Sequence, residues 1–464
     1  MKPLNCYITI ICTLGLLLSS CKVGREFSRV ELADMPAHFN GANEDQGLEL
    51  SVNDIGWSTL YEDPVLQDLI DKALENNKDM LIATARIKEL IANKRITFAS
   101  MLPDVSLEAG GQKEMLNYGG DDKKYDPEFR TNMSAGWEID IWGNLRWQND
   151  AAVAAYMQSV EAQRALHLTV VAQVAQAYFE LRALDRQLTI VRQTLISREQ
   201  AVQFAKLRYE GGLTSEIPYR QSLVELARTE TLVPDIENRI KLKENDLAIL
   251  VGDYPSSVIP RGQRIDEIDF PPQLPVDLPS SLLRRRPDIL QAEQELIEKN
   301  ATVGATLTDM FPKLYLTGRL GGENDELGNF LQSPTWFISG FLTGPVFNFG
   351  KNKARHTAAQ AAYEAQVYEY EKTILNVFAE VNNAISSLEK AKTMRLSHQK
   401  LYESAYSYHQ LAQLQYINGI VSYLDVLDSQ RQLFDAEIAL NDATLNELIA
   451  TVDMYKALGG GITR

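Results

Sequence analysis

Histidine and cysteine, the side chains most often used in covalent or metal chemistry, are sparse in this chain and poorly placed for it. Five histidines are scattered over 464 residues, and none has the spacing of a zinc-binding motif. They are His38, His167, His356, His398 and His409. The sequence also contains no HExxH pair, no phosphate-binding glycine loop and no nucleophile elbow. We therefore expect no enzymatic activity, no metal site and no required cofactor.

One thiol, Cys21, has a context of its own, because no cysteine follows it in the rest of the chain. A positive charge at Lys2 precedes an apolar run over residues 7–18, which is too short for a membrane-spanning helix of about 20 residues. This order, in which a positive charge and an apolar run are followed by the small residues Ser19 and Ser20, is typical of a secretory signal peptide.

The order LSSC at residues 18–21 resembles the bacterial lipobox, in which the cysteine is acylated and becomes the first residue of the mature chain. We expect a signal peptide over 1–20, a lipid on Cys21 and an extended segment over 21–56. Lys22 at the next position points, by resemblance to bacterial sorting rules, to the outer membrane. The alternative is an ordinary signal peptide that happens to end near a cysteine.

The bulk composition excludes one class of partner. The net charge is −16 and the pI is about 4.9, which argues against binding to nucleic acid, since phosphates require a basic surface. No later segment has 18 consecutive apolar residues. Any membrane crossing is therefore expected to use β-strands.

The chain repeats itself at a constant offset of 207 residues. Residues of the same type recur over nearly 100 positions, and a single register of that length predicts a duplicated architecture. The matched pairs include Gly143 and Gly350, Tyr156 and Tyr363, Tyr209 and Tyr416, Gly212 and Gly419, and Ser215 and Ser422. Two structural repeats are expected, over 57–252 and 280–458, with a linker at 253–279 and a tail at 459–464.

Each repeat contains a long helical hairpin. Asn144 to Glu210 and Lys351 to Asn418 contain neither glycine nor proline, so each predicts one helix of about 100 Å. A second helix follows each, giving antiparallel hairpins over 144–251 and 351–458, with a kink expected at Pro234. The turns fall at three glycines, which are Gly211, Gly212 and Gly419.

A pair of strands precedes each hairpin, at about 104–142 and 313–349. Apolar and polar residues alternate there with period two, and the segments of about ten residues suit tilted membrane strands. Four strands cannot close a barrel, so several chains must share one; two chains would give eight strands and three would give twelve. The sequence does not choose between them.

These features resemble the TolC-like outer-membrane efflux channels, in particular their NodT-type lipoprotein branch. The resemblance runs from Cys21 to about Leu458 and includes LLRRRPDI at 282–289. It is also carried by WSTLYEDPVLQDLIDKALENNKDMLIATARI, WEIDIWG and GPVFNFG, which begin at Trp57, Trp137 and Gly344. LLRRRPDI itself reads as a helix-capping turn before Pro287 rather than as a functional site.

The resemblance implies an α+β membrane protein in which long antiparallel helices form a helical barrel and four strands per chain build a trimeric twelve-stranded β-barrel. It implies a homotrimeric exit duct in outer-membrane lipid, working with a periplasmic adaptor and an inner-membrane transporter. Protein secretion is the alternative within this class. A lipid-anchored coiled-coil scaffold without a pore is the alternative outside it.

The same resemblance assigns a periplasmic gate to the tip of the second hairpin. Asp425 and Asp428 match two aspartates that line the closed aperture, and Tyr416 matches a tyrosine that holds the helices shut. Three residues apart, the aspartates share one helix face and would form stacked acidic rings in a trimer. The plain alternative is two solvated surface carboxylates. The first tip departs from this pattern, because Pro218 stands where some members of the family have a gate-linking aspartate, and Glu216 lies nearby.

Overall fold

We analysed a computed structural model of the chain. It describes residues 22–29, 36, 39, 56–116, 124–255, 257–268, 279–329 and 332–460. The expected signal peptide and Cys21 lie outside these residues. No helix within the described ranges is both long and apolar enough to cross a membrane.

Helices make up most of the described chain. The helices that precede the strands of each repeat are α1 Trp57–Leu60, α2 Pro64–Asn76, α3 Lys78–Ala99, α7 Pro279–Leu282 and α8 Pro287–Thr308. The hairpin helices are α4 Asn144–Glu210, α5 Ile217–Glu230, α6 Leu232–Leu250, α9 Lys351–Ile417 and α10 Tyr423–Ala457. The interruption expected near Pro234 is present: α5 and α6 separate at Thr231, because proline has no N–H to donate to the carbonyl of Glu230.

Four strands form one antiparallel sheet in the order β1-β2-β3-β4. The strands are β1 Asp104–Leu116, β2 Lys124–Ile139, β3 Lys313–Asn324 and β4 Pro334–Thr343. The fourth strand ends earlier than the sequence pattern indicated, at Thr343 rather than near residue 349. Thr343 pairs with Lys313, the first residue of β3, so the ladder has no further partner beyond that point.

The sheet has two chemically different faces, because directly paired residues lie on the same side of a sheet. One row of neighbours is Leu107, Met133, Leu320 and Trp336. The next row, on the opposite face, is Ser106, Ser134, Arg319 and Phe337. All four residues of the apolar row are exposed in the single chain, so the described residues leave this row uncovered.

The described residues fall into two compact units, each drawing on both halves of the sequence. Unit 1 holds the sheet, residues 22–29, and the parts of the helices within residues 85–160 and 291–372. Unit 2 holds residues 56–84, 161–290 and 373–460 among the described ranges, together with Phe39, and contains the main hydrophobic core. In that core α2 buries Leu66 and Ile70, and α4 buries Val174 and Leu181, all 0% exposed.

The duplication is visible in the backbone. Left-handed glycines recur at the same offset of 207, with φ of 83° and 81° at Gly143 and Gly350. The corresponding values are 70° and 75° at Gly212 and Gly419, and 80° and 77° at Gly252 and Gly459. Positive φ is strained for residues with a Cβ, so each glycine marks a turn that both repeats need.

In unit 1, residues 22–29 pack against the first turns of α4. The indole nitrogen of Trp147 donates to the carbonyl of Val23 at 2.8 Å, and the Lys22 ammonium lies 3.4 Å from the centre of the Trp147 ring. Lys22 also pairs with Asp150, and Arg29 forms two hydrogen bonds, of 2.5 and 2.6 Å, to Glu293. We call residues 22–29 the N-terminal strap.

In unit 2, the linker after α6 is fastened by buried polar contacts. Asp63 is 4% exposed and accepts hydrogen bonds from the Tyr178 hydroxyl at 2.5 Å and the Gln263 backbone N–H at 3.0 Å. Arg261 pairs with Asp185 at 3.1 Å and with Glu244 at 2.8 Å. The described part of the linker, for which the sequence indicated no role, therefore bonds to the N-cap residue of α2 and to acidic side chains of α4 and α6.

Each repeat caps its last helix with a side chain from its first helices. Asn77 donates to the carbonyl of Leu250 at 2.8 Å, and Arg286 donates to the carbonyl of Ala457 at 2.6 Å. Leu250 and Ala457 are again 207 positions apart. The final carbonyls of a helix have no partner within the helix and carry partial negative charge, which a guanidinium neutralises. LLRRRPDI was expected to cap the start of α8; its third arginine caps the end of α10, a role that the sequence did not indicate.

We expect Arg286→Ala to lower the free energy of unfolding by about 1–3 kcal/mol, since it removes charged hydrogen bonds to Ala457, Asp288 and Glu380. Arg284 is exposed in the same string, so Arg284→Ala is the matched control, expected within about 0.5 kcal/mol of wild type. Urea unfolding in detergent compares them. Equal midpoints for the two variants would contradict the capping role.

Candidate aperture at the helical tips

The second hairpin turns through a glycine-terminated helix end. The backbone N–H of Gly419 donates to the carbonyl of Tyr416 at 3.0 Å, and that of Ile420 donates to Gln415 at 2.9 Å. This pair of bonds defines a Schellman motif, which satisfies the last carbonyls of α9. Ser422, three residues after Gly419, is the N-cap of α10.

Asp425 and Asp428 both lie exposed on the first turns of α10. The Asp425 carboxylate accepts hydrogen bonds from the Ser422 hydroxyl at 2.7 Å and the Ser422 backbone N–H at 2.8 Å, as in a capping box. These bonds hold the pKa of Asp425 below its ordinary value, so it stays ionised in more acidic solution than a free aspartate. Asp428 accepts one hydrogen bond from Gln432 at 2.8 Å.

Tyr416 belongs to an aromatic cluster that joins the two hairpins. Its ring centre lies 5.5 Å from that of Tyr423 on α10 and 6.2 Å from that of Phe204 on α4. The Arg208 guanidinium lies 5.2 Å from the same ring, in cation–π geometry. Burial raises the pKa of Tyr423 to about 12, so its hydroxyl stays protonated at neutral pH.

The first tip has the same backbone but different chemistry. Gly211 follows the last residue of α4, and Gly212 and Leu213 close a second Schellman motif through bonds of 2.9 and 2.8 Å to Tyr209 and Arg208. Pro218 occupies the start of α5, where a missing N–H costs nothing. Glu216 pairs with Arg220 at 2.7 Å on the same helix.

A buried carboxylate one helical turn further along α5 was not singled out from the sequence. Glu225 is only 3% exposed, and Arg431 of α10 contacts its Oε1 at 2.5 and 3.1 Å. Arg198 of α4 lies 3.3 Å from its Oε2 and donates to its backbone carbonyl at 2.7 Å. Burial alone would raise the pKa of Glu225, but the Arg431 hydrogen bond and the surrounding arginines lower it below the ordinary value.

The sequence held a weak signal for this cluster. Glu225 is an acidic residue on a helix whose neighbours at three and four positions, Ser222 and Thr229, are also buried. A polar stripe on the packed side of a helix implies partners on another element, because buried charges are paired. The partners themselves, 27 residues before and 206 residues after Glu225, were not identifiable from spacing.

The described histidines include one that is buried and one that is half-buried, both within helices. His409 is buried on α9, and its Nδ1 lies 3.0 Å from the Ser429 hydroxyl, an internal contact of the hairpin. Burial lowers the pKa of His409 and of His167. Among the residues that the structure describes, no three His, Cys, Asp or Glu side chains are grouped to hold a metal ion.

A sheet with one apolar and one polar face, attached to two very long helical hairpins, defines a class of membrane channel. The family model of the outer membrane efflux protein matches residues 69–253 and 278–460, one segment in each half of the sequence. The chain belongs to the outer membrane efflux protein family.

Similar proteins cover nearly the whole chain. The probable outer membrane lipoprotein SilC of Salmonella typhimurium is 29% identical, with 97% of this chain and 98% of SilC covered. The cation efflux system protein CusC of Escherichia coli K12 is 29% identical, covering 99% of this chain and 100% of CusC. The open state of the Neisseria gonorrhoeae MtrE outer membrane channel superposes with a TM-score of 0.88 at 28% identity, covering 96% of this chain and 99% of MtrE. The expected fold class is confirmed.

Proposed function

We propose that this protein is the outer-membrane exit duct of a tripartite efflux pump, a passive gated channel for small molecules. The observation that carries the proposal is the two-faced sheet, in which an exposed apolar row alternates with a row that is polar on β1, β2 and β3 and has Phe337 on β4. In a closed barrel the apolar row contacts lipid and the polar row lines a water-filled passage.

The proposed assembly is a homotrimer. β1 and β4 are the two outer strands of the sheet, and an open strand edge in lipid leaves backbone N–H and C=O groups without partners. Pairing β4 of one chain with β1 of the next satisfies both edges, and three chains close a twelve-stranded barrel. Two chains would close eight strands, whose interior is largely filled by side chains.

The proposed gate is the tip of the second hairpin. Asp425 and Asp428 are exposed one helical turn apart, so threefold symmetry would place them in two stacked acidic rings that attract cations and repel anions. Tyr416 supports closure, since its cluster with Phe204, Tyr423 and Arg208 ties α9 to α4 and α10. The turn glycines Gly211, Gly212 and Gly419 shape the tips.

The proposed partners are a periplasmic adaptor protein and an inner-membrane transporter, and the cargo is a drug or a metal ion. CusC is named as a cation efflux protein. The tunnel is a generic wet passage, so selectivity for the cargo belongs to the transporter. Protein secretion is the weaker alternative, and the proposed conduit carries out no catalysis.

The proposed lipid anchor is Cys21. The segment that follows it starts with Lys22, which is held by Trp147 and Asp150 in unit 1. Labelled palmitate is expected to enter the wild-type protein and not Cys21→Ser carrying a standard cleavable signal. That variant is expected to conduct once it is inserted, because the barrel spans the membrane and the anchor does not. Equal labelling of both proteins would contradict the anchor.

The proposed duct is tested by extracting the protein from outer membranes and measuring its oligomeric state and its conductance. A trimer that dissociates only on heating and passes current in planar bilayers is expected. A protein that extracts as a monomer and passes no current, in wild type and in Asp425→Ala/Asp428→Ala alike, would instead support a lipid-anchored coiled-coil scaffold.

A further inference from the structure

The charge on the proposed acidic ring depends on which carboxylate the neighbouring Arg431 side chain contacts. Arg431 follows Asp428 by three residues on α10 and precedes Asp435 by four. Both spacings bring side chains together on a helix surface, so Arg431 has two acidic neighbours on its own helix. A guanidinium resting on Asp428 would cancel the negative charge there.

Arg431 directs its hydrogen bonds to Glu225 instead, although Asp428 and Asp435 lie within electrostatic range of its guanidinium. Both its Nε and one terminal nitrogen contact Oε1 of Glu225, at 3.1 and 2.5 Å, across from α5. Asp428 is left with the neutral amide of Gln432 at 2.8 Å. Glu225 competes with Asp428 and Asp435 for the Arg431 guanidinium. It is only 3% exposed, and a buried carboxylate gains more from a charged hydrogen bond than a solvated carboxylate does.

Glu225 is itself held in place by a second arginine. Arg198 is 6% exposed and contacts both the side chain and the backbone carbonyl of Glu225, while Arg228 lies 3.9 Å from the carboxylate. One carboxylate therefore faces three arginines that come from α4, α5 and α10. This arrangement orients the Glu225 carboxylate toward α10.

We propose that Glu225 is a positioning residue for ion selectivity: it holds Arg431 away from Asp428, so the proposed acidic ring keeps its charge. The inference rests on the proposed function, because it concerns the lining of a conducting aperture. It also supplies an ionic tie between the first and second hairpins.

Glu225→Gln is the sharpest test, since the amide keeps the shape of the side chain and removes its charge. Arg431 is then expected to spend part of its time on Asp428. The cation-over-anion permeability ratio is measured from the reversal potential in a salt gradient. It should fall by about two- to five-fold, which is the ratio of paired to unpaired states expected for a surface ion pair. Asp428→Asn alone should lower it as well.

A double-mutant cycle separates this effect from a merely structural one. In the Asp428→Asn background, Glu225→Gln should cause no further loss of selectivity, because the carboxylate that Arg431 would cover is gone. Adding Arg431→Gln to Glu225→Gln should restore the wild-type ratio. Independent, additive losses from Glu225→Gln and Asp428→Asn, or no rescue by Arg431→Gln, would overturn the proposal.

Trimer formation and channel current are measured separately for each purified variant. If Glu225→Gln does not form trimers, Glu225→Asp keeps the charge and shortens the reach to Arg431, and an intermediate loss of selectivity is expected; an unchanged ratio would overturn the inference. A wild-type trimer that passes no current would instead count against the duct itself.

Discussion

Leu320→Arg is expected to prevent insertion of the protein into the outer membrane. Leu320 lies in the middle of the apolar row with Met133 and Trp336 as its strand neighbours, and it is 61% exposed in the single chain. A cation on the lipid side of a membrane strand costs about 2–4 kcal/mol near the bilayer centre. Three copies in a trimer would multiply this cost.

The matched control is Thr317→Arg on the same strand. Thr317 pairs with Gly136 and Ser339 on the polar face, where an arginine would meet water and small neighbours. The heat-dissociable trimer in outer-membrane fractions is the readout. We expect it to be lost in Leu320→Arg and retained in Thr317→Arg; the reverse order would mean that the two faces have been assigned the wrong way round.

Trp147→Ala is expected to be the most destabilising single change in unit 1, at about 3–5 kcal/mol. The side chain is 2% exposed, and its ring is enclosed by the N-terminal strap on one side and by Gly304 of α8 on the other. A Cβ at Gly304 would come within 2.4 Å of the indole, so no side chain fits between the two helices at this point. Loss of the ring empties a space that the neighbours cannot refill.

Trp147→Phe separates packing from hydrogen bonding. It keeps an aromatic ring but loses the 2.8 Å bond to Val23, so a smaller loss of about 1 kcal/mol is expected. Urea unfolding gives the stabilities, and proteolysis after Arg25 or Arg29 reports release of the strap. A strap as protected in Trp147→Ala as in wild type would show that the Lys22–Asp150 and Arg29–Glu293 pairs hold it without the indole.

The long helices were predictable because their limits are set by local chemistry. Residues 144–210 carry no glycine or proline, and α4 begins and ends at those positions. The period-two segments likewise predicted four strands, and the second strand of each pair ends earlier than predicted, by a few residues in β2 and by more in β4. The end of β4 depends on where β3 begins, which is a property of the pairing and not of the β4 sequence.

The polar contacts at the hairpin tips were harder to predict from the sequence. A match at positions 425 and 428 singled out the two exposed aspartates, but the buried Glu225 and its arginines come from three separate helices. The strap was expected only as extended chain, since nothing local to residues 22–29 indicates Trp147 or Glu293 as partners. Such contacts are determined by tertiary packing, and the packing partners cannot be identified from a single sequence.

The most direct test of a gated duct is single-channel conductance in planar bilayers, with wild type beside Asp425→Ala/Asp428→Ala. We predict a small, cation-selective current for the wild type that rises several-fold and loses selectivity in the double variant, because the acidic constriction is removed. Asp425→Asn/Asp428→Asn controls for the helix start at Ser422, since the amide at 425 can still accept a hydrogen bond. A large current that is identical in all three proteins would remove the gate from Asp425 and Asp428, and no current from any inserted trimer would contradict the duct.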